Sequence, residues 1–325
     1  MTFGPEHSLV EQSLALWDVP EDAQATLINV SENMTYLIEA PGFKSVLRLH
    51  RAGYHSRRAI ESELTWLESL GAETDVLTPD VIPGRDGTAV QTGAYGPLQG
   101  PRFMVMFAHH DGTAPTVDGD LTREFGSLGQ IAAACHTHTQ NWVLPNDFSR
   151  MSWDIDDIFG VKAVWGHWRD APGVTKAIEA VLARVEPTIR ARLSAYGKAP
   201  HRYNLIHGDM RLANLLVHQG DIRLIDFDDC GFGWLLYDFA AAISFMEDDP
   251  RVPEWKAAWL DGYRGKRALT AADETEIDTF VMLRRMALLA WIGSHMEAPE
   301  PQALAGDFAE RTAGLAEAWL AKLHR

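Results

Sequence analysis

One polar segment between two apolar runs constrains this chain more than any other feature. Residues 205–216 read LIHGDMRLANLL, and the run RLIDFDD follows at 223–229. The apolar stretches NLLVH and IRLID flank the turn HQGD and predict a β-hairpin. The chain must therefore fold so that a glycine-containing polar turn precedes the hairpin and a cluster of carboxylates follows it.

Composition limits the class of protein. The 325 residues are 46% hydrophobic and 23% charged, which is typical of a globular protein. The formal charge of −16 argues against nucleic-acid binding, because there is no excess of Lys and Arg to release phosphate counterions. No apolar stretch is long enough to span a bilayer, and the N-terminus lacks a signal-peptide pattern. With two distant cysteines, Cys135 and Cys230, we expect a cytoplasmic protein.

The predicted secondary structure changes from mostly strands to mostly helices after the first hundred residues. Apolar runs bounded by turns predict strands at 27–30, 34–40, 45–50, 88–92 and 102–108, and the segment 57–71 predicts an amphipathic helix. Helical patterns then dominate at 121–140, 175–197, 238–246, 253–265, 274–296 and 309–324. We expect an α+β architecture with a small mixed antiparallel-sheet lobe over 1–107 and a larger, mostly helical lobe over 108–325.

The polar segment contains the groups that phosphoryl transfer requires. These are oxygen ligands for a metal ion and a carboxylate beside the attacking hydroxyl. In the kinase arrangement a catalytic Asp is followed five residues later by a metal-binding Asn, and a second metal-binding Asp follows a hairpin. Asp209, Asn214 and Asp226 have this order and spacing. The pattern predicts Asp209 as the catalytic base, and Asn214 and Asp226 as metal ligands.

The stretch HGDMRLANLLVHQGDIRLIDFDDCGFGWLLYDFA resembles the signature of the aminoglycoside phosphotransferase and choline kinase superfamily. The wider pattern is similar to the branch that contains type II homoserine kinase-like proteins and the bacterial stress-response Ser/Thr kinase. The resemblance covers most of the chain and is specific over about 205–240. It implies a bilobal protein-kinase-like fold, the use of ATP with Mg²⁺, and a structural role for His207 and Asp238 in bracing the catalytic loop.

The turn between the first two strands departs from the protein-kinase pattern, because VSENMT contains no glycine. Ser31 and Asn33 are candidates for polar contacts to the nucleotide phosphates, and an ordinary turn is an equal alternative.

The third strand offers an arginine in place of the usual lysine. Arg48 lies between two leucines, where a charge needs a partner, whereas Lys44 lies at the exposed start of the strand. Glu63 falls in the apolar stripe of the following helix, and Glu61 falls on its polar side. We predict that Arg48 pairs with Glu63 and positions the phosphates.

Candidate acceptor-binding residues are less specific. Arg284, Trp291 and His295 occur at helical spacing, and Trp165 and Asp228 are further candidates. An apolar stripe with a snorkelling Arg explains the helical set equally well. The clustered histidines near 109 and 136 lack the partners expected of a zinc site.

These observations predict a phosphotransferase that moves the γ-phosphate of Mg-ATP to a hydroxyl of a small, amine-bearing molecule of the aminoglycoside, choline or homoserine type. Three alternatives stay open: a protein Ser/Thr kinase, a non-catalytic nucleotide-binding regulator, and a scaffold without nucleotide.

Overall fold

The computed structural model describes residues 4–31 and 33–323, and the chain forms two compact units. The first unit comprises Met1–Gly112, Leu144–Arg150 and Arg223–Asp228; the second comprises Thr113–Val143, Met151–Ile222 and Asp229–Arg325. The expected boundary between 107 and 108 thus lies near the end of the longest segment of the first unit. Two later segments return to that unit, which a single sequence boundary does not capture.

The first unit is built on a six-stranded antiparallel sheet. Its elements are α1 (Pro5–Ser13), β1 (Gln24–Val30), β2 (Met34–Ala40), β3 (Phe43–Leu49), α2 (Arg57–Glu73), β4 (Val81–Ile82), β5 (Gln91–Gly93) and β6 (Arg102–Ala108). The order is β1-β2-β3-β6-β4, and β5 also pairs with β6. Every strand expected from the sequence is present, although β5 begins three residues after the expected start at 88.

The two faces of β3 have different roles because side chains alternate along a strand. Leu47 and Leu49 belong to a buried apolar cluster with Leu9 and Val10 of α1, a helix that the sequence analysis did not predict. Arg48 points to the opposite face, where it meets α2.

Helix α2 presents the predicted apolar stripe to the core. Ser56 caps its first turn by accepting a hydrogen bond from the backbone nitrogen of Ala59 at 3.1 Å. Glu63 is buried within this stripe, as its sequence position predicts, and the helix continues to Glu73, two residues beyond the expected end.

The second unit is mostly helical. Its elements are α3 (Thr122–Asn141), β7 (Met151–Ser152), α4 (Ile155–Phe159), α5 (Lys176–Tyr196), β8 (Tyr203–Ile206), β9 (Leu215–His218), β10 (Asp221–Leu224), β11 (Gly231–Trp234), α6 (Tyr237–Ala242), α7 (Val252–Arg264), α8 (Ala271–Ser294), α9 (Pro299–Leu304) and α10 (Phe308–Leu323). The last two residues of β10 belong to the first unit. Within the described residues, no helix has the length and apolar character needed to cross a membrane.

Two short sheets carry the polar segment. β9 and β10 form the predicted hairpin, and β11 lies between β7 and β8. Strand β8 leads directly into the polar turn, so its pairing with β11 fixes where that turn begins.

Helices α3 and α7 approach each other closely through glycines. A Cβ added at Gly129 would lie 2.0 Å from the carbonyl oxygen of Trp259, and one added at Gly262 would lie 1.9 Å from that of Gly126. Both contacts are with backbone, so the helices would have to separate to admit a methyl group.

We expect Gly129→Ala to lower the free energy of unfolding by about 1–3 kcal/mol, because the added methyl group overpacks this contact. Gly314→Ala is the matched control: Gly314 lies in α10 with no heavy atom within 4 Å of an added Cβ. There the better helix propensity of Ala should stabilise the protein by roughly 0.5–1 kcal/mol. Urea denaturation measures both changes, and equal midpoints for wild type and Gly129→Ala would contradict the packing argument.

Candidate active site

Arg48 is the centre of a buried charge cluster in the first unit. Its Nη2 donates to Glu63 Oε1 at 2.6 Å, so the predicted pair is present in the structure. Its Nη1 lies 3.6 Å from Asp226 Oδ1 and 3.8 Å from Asp228 Oδ1. Burial alone would lower the pKa of Arg48, but the three carboxylates raise it. The guanidinium is therefore a permanent cation between the helix and the segment that follows the hairpin.

Asp228 belongs to the same cluster and is almost completely buried. Its Oδ2 accepts from Asn33 Nδ2 at 2.7 Å, and its Oδ1 lies 3.5 Å from His50 Nδ1. Burial would raise the pKa of this carboxyl, but Arg48 and then the histidines His55 and His50 hold it well below its ordinary range. The carboxylate of Asp228 is enclosed by groups of the first unit, and its contact with an acceptor stays a prediction.

The backbone around Asp228 is held as firmly as its side chain. The carbonyl oxygen of Asp228 lies 3.0 Å from His55 Nε2 and accepts a hydrogen bond from Arg150. Sequence reasoning missed all three of His50, His55 and Arg150, because nothing in their local pattern marks them as neighbours of residue 228.

Asn33 connects the first turn to this cluster. Its Nδ2 donates to Asp228, and its Oδ1 accepts from the backbone nitrogen of Arg51 at 3.1 Å. Both ends of the amide are thus engaged within the unit, which favours the ordinary-turn alternative for Asn33. Ser31 donates its backbone nitrogen to the carbonyl of Asn33 at 3.0 Å, and contact of its side chain with phosphate stays a prediction.

Asp226 has a strained backbone and an accessible side chain. Its φ of 61° lies in the left-handed region, where a non-glycine residue costs roughly 1–3 kcal/mol. The side chain is 45% exposed although its neighbours are buried. Such strain persists where the surrounding structure imposes it, often at ligand sites. That Asp226 is a metal ligand stays a prediction.

In the second unit, the polar turn depends on Gly208. Its φ is +80°, and a Cβ there would lie 2.7 Å from the carbonyl oxygen of Asp229 and 2.9 Å from Trp153 Nε1. Only glycine accommodates both the conformation and the close approach. The glycine of the motif is therefore a steric requirement of the turn that presents Asp209.

Asp238 braces this turn through backbone hydrogen bonds. Its Oδ1 accepts from the nitrogen of Gly208 at 2.8 Å, and its Oδ2 accepts from the nitrogen of His207 at 3.2 Å. His207 Nδ1 in turn accepts from the nitrogen of Asp209 at 3.2 Å. The geometry agrees with the bracing role that the resemblance implies for His207 and Asp238.

His136 supports Asp238 from α3, and the sequence analysis did not assign it this position. Its Nε2 lies 2.9 Å from Asp238 Oδ2, and its Nδ1 lies 2.9 Å from the hydroxyl of Tyr263. Burial lowers the pKa of His136, against the opposing effect of Asp238, so the ring is neutral at physiological pH.

The Asp209 carboxylate lies among donors. Arg284 Nη2 donates to its Oδ1 at 2.5 Å and Asn214 Nδ2 donates to its Oδ2 at 2.7 Å, while Arg211 Nε lies 3.4 Å from Oδ2. Burial would raise the pKa of Asp209, but Arg211 and Arg284, followed by His207 and Asn214, hold it below its ordinary value. Because Asn214 turns its amide nitrogen toward Asp209, its Oδ1 is the atom suited to a cation.

Arg284 is a partner of Asp209, and its contact with an acceptor stays a prediction. Its Nε donates to Ser244 Oγ at 3.0 Å and its Nη1 to the carbonyl of Gly208 at 3.2 Å. The guanidinium carbon lies 5.3 Å from the ring centroid of Trp165. All three nitrogens are engaged and the residue is buried, so Arg284 holds the turn and the carboxylate together.

The aromatic candidates occupy two places. Trp165 packs against Trp153 with centroids 4.8 Å apart, and the hollow beside them is too tight to admit a water molecule. One face of the Trp165 ring already meets the guanidinium of Arg284. Trp291 and His295 stack with centroids 5.5 Å apart, and the ring of Phe245 lies 5.9 Å from Trp291. Their contact with an acceptor stays a prediction.

Arg211 and Glu300 were missed. Arg211 Nη1 donates to Glu300 Oε1 at 2.6 Å. Arg211 therefore lies between the carboxylate of Glu300 and that of Asp209. Arg211 could have been noticed inside HGDMRLAN, whereas Glu300 is 89 residues distant and carries no local signal.

Arg48 and Glu63 should be energetically coupled. Arg48→Ala and Glu63→Ala should each destabilise the protein strongly, since removal of one partner of a buried pair typically costs about 3–5 kcal/mol. The double substitution should cost less than the sum, with a coupling of roughly 0.5–3 kcal/mol in the free energy of unfolding. The surface pair Lys44–Glu39 is the control, for which exposure predicts a coupling of about 0–1 kcal/mol. Additive losses at Arg48 and Glu63 would contradict a direct interaction.

The pKa of Asp209 should depend on the charge of Arg284. Arg284→Met should raise it, because a positive charge that favours the carboxylate is removed. A depressed pKa stabilises the folded state above the ordinary Asp value and ceases to do so as the pH falls through the folded pKa. In Arg284→Met this stabilisation should be smaller and should vanish at a higher pH.

Carboxyl NMR titration of Asp209 measures the shift directly. Arg251→Met is the control, because Arg251 pairs with Asp249 at 2.7 Å and does not appear among the groups that shift Asp209. An Asp209 pKa that is the same in both variants would contradict the electrostatic role of Arg284.

Comparison with known proteins identifies the family. The phosphotransferase enzyme family model matches residues 25–275. The structure of a microcompartment-associated aminopropanol kinase is 44% identical, with a TM-score of 0.89 over 97% of this chain and 98% of that one. An amicoumacin kinase solved with AMP-PNP, Ca²⁺ and Ami is 20% identical, with a TM-score of 0.77 over 96% and 94%.

Among sequence relatives, an uncharacterized protein of Deinococcus radiodurans is 26% identical over 80% of this chain and 74% of its own length. Amicoumacin kinase of Bacillus subtilis is 22% identical over 87% and 83%. The expected kinase-like α+β fold and the resemblance to the superfamily are confirmed. The chain belongs to the phosphotransferase enzyme family and is a kinase that transfers a phosphoryl group to a hydroxyl of a small molecule.

Proposed function

We propose that this chain transfers the γ-phosphate of ATP, with Mg²⁺, to the hydroxyl of a small amino alcohol. The observation that carries the proposal is the half-buried carboxylate of Asp209, oriented by Arg284 and Asn214. The 44% identity to an aminopropanol kinase over nearly the whole chain supports the acceptor class.

In this proposal Asp209 orients the acceptor hydroxyl and receives its proton. The hydroxyl oxygen forms a bond to the γ-phosphorus as the bond from that phosphorus to the β–γ bridging oxygen breaks, and ADP leaves. Because the pKa of Asp209 is depressed, the carboxylate is ionised at neutral pH and ready to accept a hydrogen bond. A weak base suffices, since the loose transition state needs little activation of the nucleophile.

The metal ligands would be Asn214 and Asp226. Both supply hard oxygen atoms, and Mg²⁺ is usually held by one or two carboxylates together with waters and substrate phosphates. When bound, Mg²⁺ neutralises charge on the phosphates.

Arg48 would act on the phosphate side of the reaction. Its Nη2 is fixed by Glu63, and its Nη1 lies near Asp226, the proposed metal ligand. We therefore propose that Arg48 sets the position of Asp226 and supplies positive charge near the phosphates. A lysine at this position would keep the charge and lose the planar fork that makes both contacts.

The test measures ADP release with ethanolamine, aminopropanol isomers, choline, the matched uncharged diols and generic protein substrates. Amino alcohols should give the highest kcat/KM. Asp209→Asn should lower turnover by ~10²–10⁴-fold, the usual contribution of a positioned acid–base group. Asp221→Asn, on the exposed hairpin, is the control and should leave turnover unchanged. Higher kcat/KM for diols or proteins than for every amino alcohol would refute the acceptor class, and near-normal turnover in Asp209→Asn would refute the base.

A further inference from the structure

Arg211 bridges two carboxylates of the second unit. Its Nη1 donates to Glu300 Oε1 at 2.6 Å and its Nη2 to Oε2 at 3.4 Å, while its Nε lies 3.4 Å from Asp209 Oδ2. The guanidinium thus connects the proposed catalytic base to a carboxylate at the start of α9.

An aromatic wall lies beside this bridge. The ring centroid of Phe245 is 5.8 Å from the guanidinium carbon of Arg211, within the range of cation–π attraction. Phe245 has a φ of 70°, an outlier for a bulky residue. Its ring also contacts Trp291 and Phe308, at centroid distances of 5.9 and 6.0 Å. These contacts hold Phe245, whose backbone is strained, beside the guanidinium of Arg211.

Asp209 has other hydrogen-bond partners besides Arg211. Arg284 donates to Oδ1 and Asn214 to Oδ2 at shorter distances, so Asp209 remains paired without Arg211. The Glu300 side chain is 40% exposed and the Arg211 side chain 20%, and partly exposed ion pairs exchange readily because water stabilises both separated charges. Arg211 is therefore replaceable by another cation that reaches both carboxylates.

An amino alcohol has the donors for that replacement. Its hydroxyl would donate to Asp209, and its ammonium, two carbons away, would donate to Glu300 and face the ring of Phe245. Resting on the function proposed above, we propose that Glu300 binds the ammonium group of the acceptor, and that Arg211 occupies this position until the acceptor arrives. An uncharged diol cannot displace Arg211 in this way, so Glu300 determines specificity.

The first experiment compares an amino alcohol with its matched diol in Glu300→Gln. Loss of one charge-assisted contact should raise KM for the amino alcohol by about 10- to 100-fold with little change in kcat. KM for the diol should not rise. Inhibition of wild type by propylammonium, which has no hydroxyl, should weaken in parallel, and Glu300→Asp should retain part of the preference because it keeps the charge.

Glu317→Gln is the matched control. Glu317 accepts two hydrogen bonds from Arg184, at 3.0 and 3.1 Å, on the surface of the same unit, and its substitution should change none of these constants. A second control separates direct binding from an effect through Arg211. In an Arg211→Gln background, Glu300→Gln should still raise KM for the amino alcohol.

The outcomes distinguish the two proposals. Wild type that phosphorylates no amino alcohol would refute the proposed function and this inference with it. Wild type that prefers amino alcohols, while Glu300→Gln changes kcat/KM equally for amino alcohol and diol, would refute only the role of Glu300. Loss of the Glu300→Gln effect in the Arg211→Gln background would likewise show that Glu300 acts only by holding Arg211.

Discussion

The pairing of buried arginines with carboxylates is the constraint on which the charged cluster of each unit depends. A guanidinium removed from water must find an anion, because an isolated buried charge is prohibitively costly. Arg48 meets this need with Glu63, Asp226 and Asp228, and Arg284 meets it with Asp209. The same contacts that neutralise the arginines also fix the carboxylates in place. Stability and the orientation of the reactive groups therefore have a common origin.

Three residues near these charged groups have left-handed backbone conformations. Asp226 and Phe245 have positive φ values although neither is glycine, and Gly208 adopts a similar conformation without a steric penalty. Each of the three lies next to a charged group of the site. Strain of this kind persists only where surrounding contacts impose it. For Gly208 the imposing contacts are the hydrogen bonds to Asp238, and for Phe245 they include the rings of Trp291 and Phe308.

Proximity along the chain explains which parts of the site could be predicted. Arg48 and Glu63 were predictable as a pair because strand alternation and helical periodicity each point their side chains into the core. Asn33, predicted either as a phosphate contact or as part of an ordinary turn, ties Asp228 to the turn, since both ends of its amide find partners within the unit. Its contact with phosphate stays a prediction. Arg284 follows its partner Asp209 by 75 residues, and Glu300 follows its partner Arg211 by 89 residues. No local sequence pattern encodes contacts between residues so far apart.

The sequence by itself determined the class of fold and the order of the predicted catalytic groups, because periodicity and motif spacing are local properties that survive without tertiary context. The tertiary structure showed why residue 208 is glycine, since its φ is +80° and the carbonyl oxygen of Asp229 lies close to it. Only the tertiary structure decided which charges surround each carboxylate: Arg284 and Arg211 at Asp209, and Arg48, His50 and His55 at Asp228. The physical reason is that a pKa depends on burial and on neighbouring charges in space, and chain folding selects those neighbours from distant parts of the sequence.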